Sequence, residues 1–449
     1  MLRDRYKNSW LLLGSLAFYA YGTISQPLAL ILLIASVAVN YAAGFGIEAY
    51  GRYRKLIFIL ALIYNIGCLF AFKYLNFLLE TATGLLNLFP ALNGINLPGV
   101  GLILPLGISF YTFSIVSYIA DVYTGKIHAE KSPIKLGVYL CMFPRLIAGP
   151  IVAYSGVSEQ IDGRRHSLSS VNSGLMDFTA GLGLKVLLAN QIGRLWSDIG
   201  SIGFDSISTP LAWMGVVAFS MQIYFDFWGY SLMAVGLGRM LGFELPENFN
   251  SPYTALTMTD FWRRWHMTLG LWFRNYIYIP LGGSRSGKAK AFRNMLVVWL
   301  LTGLWHGASW NFVLWGLITF LIIAVEKFLI GDFLNKKPVF GHIYMAAVIP
   351  LMWAVFAITD FSSLRIYFGR LFPFSGPGIN VYSLDYIKYG KMYGIVLLIG
   401  LFFCTQLPRK IYNRIKGSVF SAVVLIIVFW ACVYCLYKGL DDPFLYFKF

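Results

Sequence analysis

From Met295 to Ile323 the chain carries no Lys, Arg, Asp or Glu, yet a histidine, His306, lies inside this stretch. An apolar segment of about 20 residues is long enough to cross a bilayer as a helix. An ionisable side chain inside hydrocarbon is costly unless it has a partner or faces water, and imidazole can exchange a proton near neutral pH. We therefore predict a membrane helix that carries a candidate active-site residue. On physics alone, a buried histidine with both nitrogens hydrogen-bonded is the alternative.

The composition of the whole chain is that of a membrane protein. Of its 449 residues, 58% are hydrophobic and only 12% are charged, too few charges to cover a soluble fold of this size. We predict an all-α polytopic membrane protein, a single domain over residues 1–449, with roughly eleven membrane elements. The shorter apolar stretches near residues 136–155 and 265–282 are expected to be re-entrant or interfacial.

The chain is strongly basic, with a formal net charge of +16. Its basic residues cluster between apolar segments, as the positive-inside rule predicts for a multi-pass protein of the bacterial cytoplasmic membrane. We therefore expect contact with membrane lipids and no binding of nucleic acid. The pattern predicts a cytoplasmic N-terminus, cytoplasmic loops at residues 52–55 and 126–135, and an external loop at residues 80–100.

The segment from Thr259 to Asn275 combines aromatic, cationic and histidine side chains. On one continuous helix, Trp262 and His266 would share a face, and Arg263 and Arg274 would point in nearly the same direction. One interpretation is an interfacial anchor, with tryptophan at headgroup depth and arginine on phosphates. The other is the wall of a polar cavity in which an arginine binds an anionic donor. Both can hold together.

A second set of polar neighbours surrounds His306 itself. Helical spacing would place Thr302, His306 and Trp310 on one face. A hydroxyl and an indole N–H suit a substrate site, but they could equally satisfy the imidazole. The five cysteines show no metal-binding spacing with histidine, so we predict no metal site.

A series of short motifs in a fixed order closely resembles the membrane-bound O-acyltransferase family. Within it, the chain is most similar to the alginate O-acetylase branch and also resembles the teichoic acid D-alanyl transferases. Each motif is weak alone, and the ordered series is specific. The motifs are Leu104–Phe113, Phe143–Ile151, Gln222–Tyr230, Leu245–Asn250, Phe261–His266, Tyr278–Gly283 and Leu301–Ala308.

The resemblance implies a helix bundle around a central funnel, with His306 as the catalytic histidine and His266 as a second site histidine. An alcohol attacking an acyl carbonyl must lose a proton, and imidazole is a suitable general base. A tryptophan N–H, Arg274 or His266 could stabilise the oxyanion. Direct transfer and a histidine-linked intermediate both remain open. Candidate substrate-binding residues are Trp305, Trp310, Arg274, Asn275 and Thr302.

The resemblance further implies an acyl thioester donor, acetyl-CoA or an acyl carrier protein, used as a substrate and not held as a tight cofactor. The acceptor would be an extracytoplasmic polysaccharide or a periplasmic acetyltransferase partner. Relatives usually carry Gln where this chain has Ser114 and Arg145, Asp where it has Leu232 and Asn275, and His where it has Ile318. These differences leave the acceptor open, and the family's first helix is expected to be missing.

Two other functions compete with acyl transfer. A transporter could use intramembrane His, Asp and Arg as a substrate pathway, although no internal repeat is visible. A partner-recruiting scaffold would not require either histidine.

Overall fold

The computed structural model describes residues 6–90, 94–285, 287–372, 382–439 and 445, and within these ranges the chain is helical with no β-strand. Contacts divide it into two compact units, residues 1–170 with 238–246 and residues 171–237 with 247–449. The α-helices, in chain order, are α1 Lys7–Gly22, α2 Pro27–Ala49, α3 Arg54–Lys73, α4 Leu75–Leu86, α5 Ile108–Tyr123, α6 Pro133–Cys141, α7 Phe143–Leu146, α8 Ser158–Gly163, α9 Leu168–Gly183, α10 Asn190–Ile202, α11 Thr209–Met240, α12 Met258–Arg264, α13 Met267–Phe273, α14 Lys288–His306, α15 Trp310–Val325, α16 Gly331–Lys336, α17 Pro338–Ala357, α18 Phe361–Leu371, α19 Asp385–Cys404, α20 Leu407–Ile415 and α21 Val419–Tyr437.

Short 3₁₀ and π segments join several of these helices. The 3₁₀ turns are Gly51–Tyr53, Tyr154–Gly156, Phe204–Ser206 and Pro252–Thr254, and the π segments are Leu184–Ala189, Arg274–Tyr278 and Glu326–Ile330. Side-chain caps begin some of the α-helices where the sequence offers Ser, Thr or Asp. The Oγ1 of Thr257, for example, accepts a hydrogen bond from the N–H of Asp260 at the start of α12.

Six helical segments of the described residues are long and apolar enough to cross a membrane, and the protein is a multi-pass membrane protein. In three of them only 11% of the most apolar window is buried, so their large apolar side chains face outward, as lipid contact requires. The predicted number of roughly eleven membrane elements stays a prediction. The six are Pro27–Ala49, Gly51–Lys73, Trp310–Lys336, Pro338–Ala357, Asp385–Cys404 and Val419–Tyr437.

In the first unit, buried polar side chains join helices that are otherwise apolar. Asn40 on α2 and Asn65 on α3 exchange two side-chain hydrogen bonds, at 2.9 and 2.7 Å. The guanidinium of Arg145 donates to the Oγ of Ser114 at 2.9 Å. Ser114 and Arg145, two positions at which the resemblance predicted a departure from the family pattern, are therefore direct partners.

In the second unit, buried ion pairs hold the carboxylates that sequence places in apolar helices. Asp226 on α11 pairs with Lys185 and also accepts the backbone N–H of Leu445 at 2.7 Å. Asp177 on α9 pairs with Lys416 at 2.6 Å. These carboxylates are therefore paired within the fold, as polar groups in a membrane must be.

Helices α14 and α15 pack at unusually short range because glycines face each other. A Cβ on Gly303 would lie 2.3 Å from the carbonyl oxygen of Phe312, and one on Gly316 would lie 2.5 Å from that of Trp299. Small residues permit such close approach of membrane helices. This packing fixes α14, which carries His306 at its C-terminal end.

Two sequence-based predictions of continuous helix are wrong. The helix with Trp262 ends at Arg264, and His266 starts the next one after a change of direction, so these side chains do not share a helical face. Likewise α14 ends at His306, and Trp310 begins α15, so Trp310 is not on the Thr302 and His306 face. In both places the apolar pattern runs on through a break in the backbone.

Candidate active site

Both signature histidines line one cavity of about 570 Å³ in the second unit. One wall is a single face of α14, because Met295, Val298, Trp299, Thr302 and His306 recur at intervals of three or four residues. The opposite wall is the corner between α12 and α13 with the π segment that follows. The lining from this wall is Thr259, Trp262, Arg263, Trp265, His266, Met267, Leu269, Gly270, Leu271, Phe273, Arg274 and Tyr278.

His266 occupies the corner itself, in a left-handed backbone conformation with φ of 44°. Such a conformation is uncommon for residues other than glycine and often marks functional sites. Two backbone hydrogen bonds support it, from Asn250 N–H to Arg264 C=O at 2.9 Å and from Met267 N–H to Asn248 C=O at 3.0 Å. The segment around Asn248 therefore holds the corner that presents His266.

The imidazole of His266 is buried, with only 2% of the residue exposed. Its Nδ1 lies 3.3 Å from the Oδ1 of Asn248, and the edge of Phe227 packs on the ring at 4.7 Å between centroids. Burial lowers the pKa of His266 to about 3. The ring is therefore neutral at physiological pH.

His306 is surrounded by aromatic rings on the sides that do not face the cavity. Its ring centroid lies 4.9 Å from Trp305, 5.2 Å from Trp315 and 5.1 Å from Phe356. Trp305 is also 6.0 Å from His266, so one indole contacts both histidines. These rings pack against the imidazole on several sides, and His306 also lines the cavity.

Two arginines line the cavity without an acidic partner. Among the described residues, Arg263 has no hydrogen bond or ion pair, and Arg274 donates only to its neighbour Asn275, at 3.3 Å. The nearby carboxylate of Asp260 pairs with Arg264 instead. Two unneutralised guanidinium groups beside an apolar cavity favour an anionic ligand.

Of the other candidate substrate-binding residues, one lines the cavity and the rest do not. Thr302 lines the cavity, and its hydroxyl donates to Val298 C=O at 2.7 Å, which leaves it only as an acceptor toward a substrate. Trp305 is buried behind the histidines. Asn275 is exposed beside Arg274 and does not line the cavity, and Trp310 is 51% exposed and does not line it either. Their roles remain predictions.

Sequence reasoning did not single out Asn248 or Trp299. The signal for Trp299 was present, since it lies seven residues before His306 and two helical turns place both on one face. Trp262 and Trp299 pack together at 5.1 Å between centroids and close the cavity on one side. Asn248 lay inside a quoted motif, but only the fold brings it to His266. Among the described residues, no group of three or more His, Cys, Asp or Glu forms a candidate metal site.

The model of the membrane-bound O-acyltransferase family matches residues 129–370, which include both cavity histidines. The chain belongs to the membrane-bound O-acyltransferase family. It is therefore an acyltransferase, and the predicted family and fold class are confirmed.

Three relatives show which branches of the family the chain is similar to. A probable alginate O-acetylase of Pseudomonas syringae pv. tomato is 36% identical, over 83% of this chain and 71% of the relative. A peptidoglycan O-acetyltransferase of Helicobacter pylori is 36% identical, over 71% of this chain and 64% of the relative. A teichoic acid D-alanyltransferase of Lacticaseibacillus rhamnosus is 31% identical, over 53% of this chain and 62% of the relative. The predicted similarity to both branches is confirmed.

Proposed function

We propose that this membrane acyltransferase moves an acetyl or similar short acyl group from a cytoplasmic-side thioester to a hydroxyl of an extracytoplasmic polysaccharide, or to a partner transferase that acetylates one. The names of the relatives, which specify alginate, peptidoglycan and teichoic acid, support a cell-surface polymer as the final acceptor. The observation that carries the proposal is one cavity lined by His266, His306 and two arginines without acidic partners.

The proposed reaction needs one base and one leaving group. The hydroxyl oxygen of the acceptor forms a bond to the acyl carbonyl carbon, and its proton passes to His306. The carbon–sulfur bond then breaks, and the thiolate takes the proton from His306 to leave as a free thiol. An imidazole that accepts and returns a proton contributes on the order of 10²–10⁴-fold to such a rate.

The two arginines that line the cavity suit a donor that carries phosphate. Acetyl-CoA and the prosthetic arm of an acyl carrier protein both carry phosphate groups, which guanidinium groups bind through paired N–H donors. Arg263 and Arg274 line the cavity, and no carboxylate of the residues that the structure describes pairs with either of them to compete with such a phosphate. The donor's acyl end would then lie in the apolar part of the cavity, near the histidines.

Replacing His306 tests the proposal most directly. In His306→Ala, ester-linked acetate on cell-surface polysaccharide should fall at least 10²-fold, because the base is lost. The matched control is His342→Ala on α17, an exposed histidine outside the cavity lining. Mass analysis of the purified polymer, with membrane-inserted protein quantified in parallel, measures the effect.

The same experiment separates the competing functions. Unchanged acetylation in a well-inserted His306→Ala protein would contradict the proposed base, and unchanged acetylation with both cavity histidines replaced would favour a scaffold. Purified protein in vesicles, given labelled acetyl-CoA or acetylated carrier protein in separate arms, identifies which donor is consumed.

A further inference from the structure

Asn248 is the buried residue that most directly contacts a cavity histidine. It is 1% exposed, and its side chain makes contacts at both ends of the amide. The Oδ1 receives the Oγ1 of Thr268 at 2.6 Å and the backbone N–H of Thr268 at 3.4 Å, and it faces Nδ1 of His266 at 3.3 Å. The Nδ2 contacts the Oγ of Ser231 at 3.1 Å. The side chain is therefore held at both ends.

These contacts fix which end of the amide faces the imidazole. A backbone N–H can only donate, so the atom of Asn248 that faces Thr268 N–H must be the oxygen. The same oxygen faces Nδ1 of His266, and an amide oxygen can only accept. Nδ1 must therefore carry the proton in this contact.

The protonation of one ring nitrogen determines the other. A neutral imidazole has one N–H and one lone pair, so a proton on Nδ1 leaves Nε2 as an acceptor. Within the described residues, no protein group hydrogen-bonds to the buried Nε2. Asn248 does not line the cavity, whereas His266 does, so a substrate would approach the ring from the edge opposite Asn248.

We infer that Asn248 is a positioning residue that holds His266 in the Nδ1–H tautomer, so that its Nε2 accepts a hydrogen bond from a donor group of the substrate. The inference deepens the proposed function and rests on it for the nature of that group. The attacking hydroxyl gives its single proton to His306, so the group that donates to Nε2 of His266 is a neighbouring hydroxyl of the acceptor. The inference also narrows the roles open to His266. A neutral ring in this tautomer cannot donate from Nε2 to an oxyanion, so that task falls to Arg274 or an indole N–H.

The left-handed backbone at His266 belongs to the same arrangement. The carbonyl of Asn248 binds Met267 N–H, so one residue fixes both the backbone corner and the imidazole. The other ionisable groups that line the cavity are Arg263, Arg274, Tyr278 and His306. None is a carboxylate, so among these lining groups no anion competes with Asn248 to set the charge of His266.

The tautomer can be observed without any enzymatic assay. In protein labelled with ¹⁵N-histidine, Nδ1 of His266 should show the shift of a protonated nitrogen and Nε2 that of an unprotonated one, with His266→Gln used to assign the signals among five histidines. In Asn248→Leu the preference should be lost. A buried asparagine outside the cavity lining, Asn294, gives the matched control Asn294→Leu, in which the His266 signals should not change.

Kinetics then tests whether the tautomer matters. Asn248→Leu should lower kcat on the order of 10²-fold with little change in the KM of acetyl-CoA, because the donor does not contact Asn248. Asn248→Asp keeps an acceptor oxygen and should restore part of kcat. Its negative charge stabilises the imidazolium and raises the pKa of His266, so activity should fall at a higher pH on the acid side than in the wild type.

Each outcome decides the inference. A wild-type His266 protonated on Nε2, or an Asn248→Leu protein with an unchanged tautomer and unchanged kcat, would overturn it. If His306→Ala retains activity while the tautomer is as stated, the proposed function fails and the positioning role of Asn248 survives. Thermal unfolding of each variant in detergent identifies those that lose activity only because they do not fold.

Discussion

The residue after His306 shows how little space the site leaves. Gly307 has extended backbone, with φ of −164°, so its conformation does not require glycine. A Cβ at this position would nevertheless lie 2.1 Å from the ring of Phe312. The restriction is one of space, and it acts one residue away from the proposed base.

We predict that Gly307→Ala displaces either Phe312 or the end of α14. The change should lower the stability of the protein by about 1–3 kcal/mol, as overpacking of a dense core does, and it should reduce acetylation. Gly390→Ala on α19 is the matched control, because no atom lies within 4 Å of its added Cβ and it is outside the cavity lining. Thermal unfolding in detergent measures both, and equal melting temperatures would contradict the prediction.

At this scale the sequence pointed to the two cavity histidines but not to the residues that contact them. The motif series pointed to His266 and His306, and the structure places both on one cavity. It did not point to Asn248 as the partner of His266, because the two are 18 positions apart and on different elements. Local spacing can identify neighbours on one helix, but it carries no information about which loop meets which corner.

Breaks in helices decide the shape of the cavity at the scale of elements. The chain turns at Trp265 and His266 without a glycine or proline at the turn, so periodicity alone extends one helix through it. The second break, at residues 307–309, does contain a glycine and a serine, the usual signals for a helix end and a helix start. A long uncharged run hid this signal. The sequence thus predicted the helices, whereas the breaks between them could be located only in the structure.

Helix α12 begins against a carboxylate from another element. Glu326 is 3% exposed, and it accepts Met258 N–H at 2.6 Å, Thr259 N–H at 3.0 Å and the Thr259 hydroxyl at 3.1 Å. A carboxylate at a helix N-terminus satisfies N–H groups that have no partner within the helix. Glu326 therefore anchors the helix that carries Trp262 and leads to His266.

We predict that Glu326→Ala destabilises the protein by about 1–3 kcal/mol, because a buried N–H group and a part-buried one lose their acceptor. Glu326→Gln, which keeps one carbonyl oxygen, should lose less. Asp332→Ala on α16, an exposed acidic residue nearby, serves as the control. Unfolding in denaturant gives the free energy of unfolding of each variant. If Glu326→Gln loses as much stability as Glu326→Ala, the capping role is contradicted.

Composition was sufficient to establish the class of the whole molecule. Few charges and a large apolar fraction predicted a multi-pass helical membrane protein, and the described residues contain six helices that meet the requirement. The number of crossings did not follow, because short helices such as α12 and α13 are apolar without being long enough to span. Hydropathy measures the solvent a segment prefers, and it cannot say whether the segment crosses the bilayer or turns back.

The orientation predicted from charge can be measured in intact cells. Single cysteines at Asn96 and Lys131, both exposed, report on the loops at residues 80–100 and 126–135. We expect Asn96→Cys to react with a membrane-impermeant maleimide added outside, and Lys131→Cys to react only after the cells are opened. The parent protein, with its five native cysteines, sets the background. The reverse labelling pattern would invert the predicted topology.

The bond between Asp226 and the peptide N–H of Leu445 has a practical consequence for mutagenesis. A peptide N–H is common to every residue except proline, so exchanging the leucine side chain leaves this donor in place. Alanine scanning would therefore pass over an attachment that reaches a buried carboxylate in the core of the second unit. Only a proline, or a chain shortened to end before residue 445, would reveal it, and a fusion joined directly at that point would pull on the same attachment.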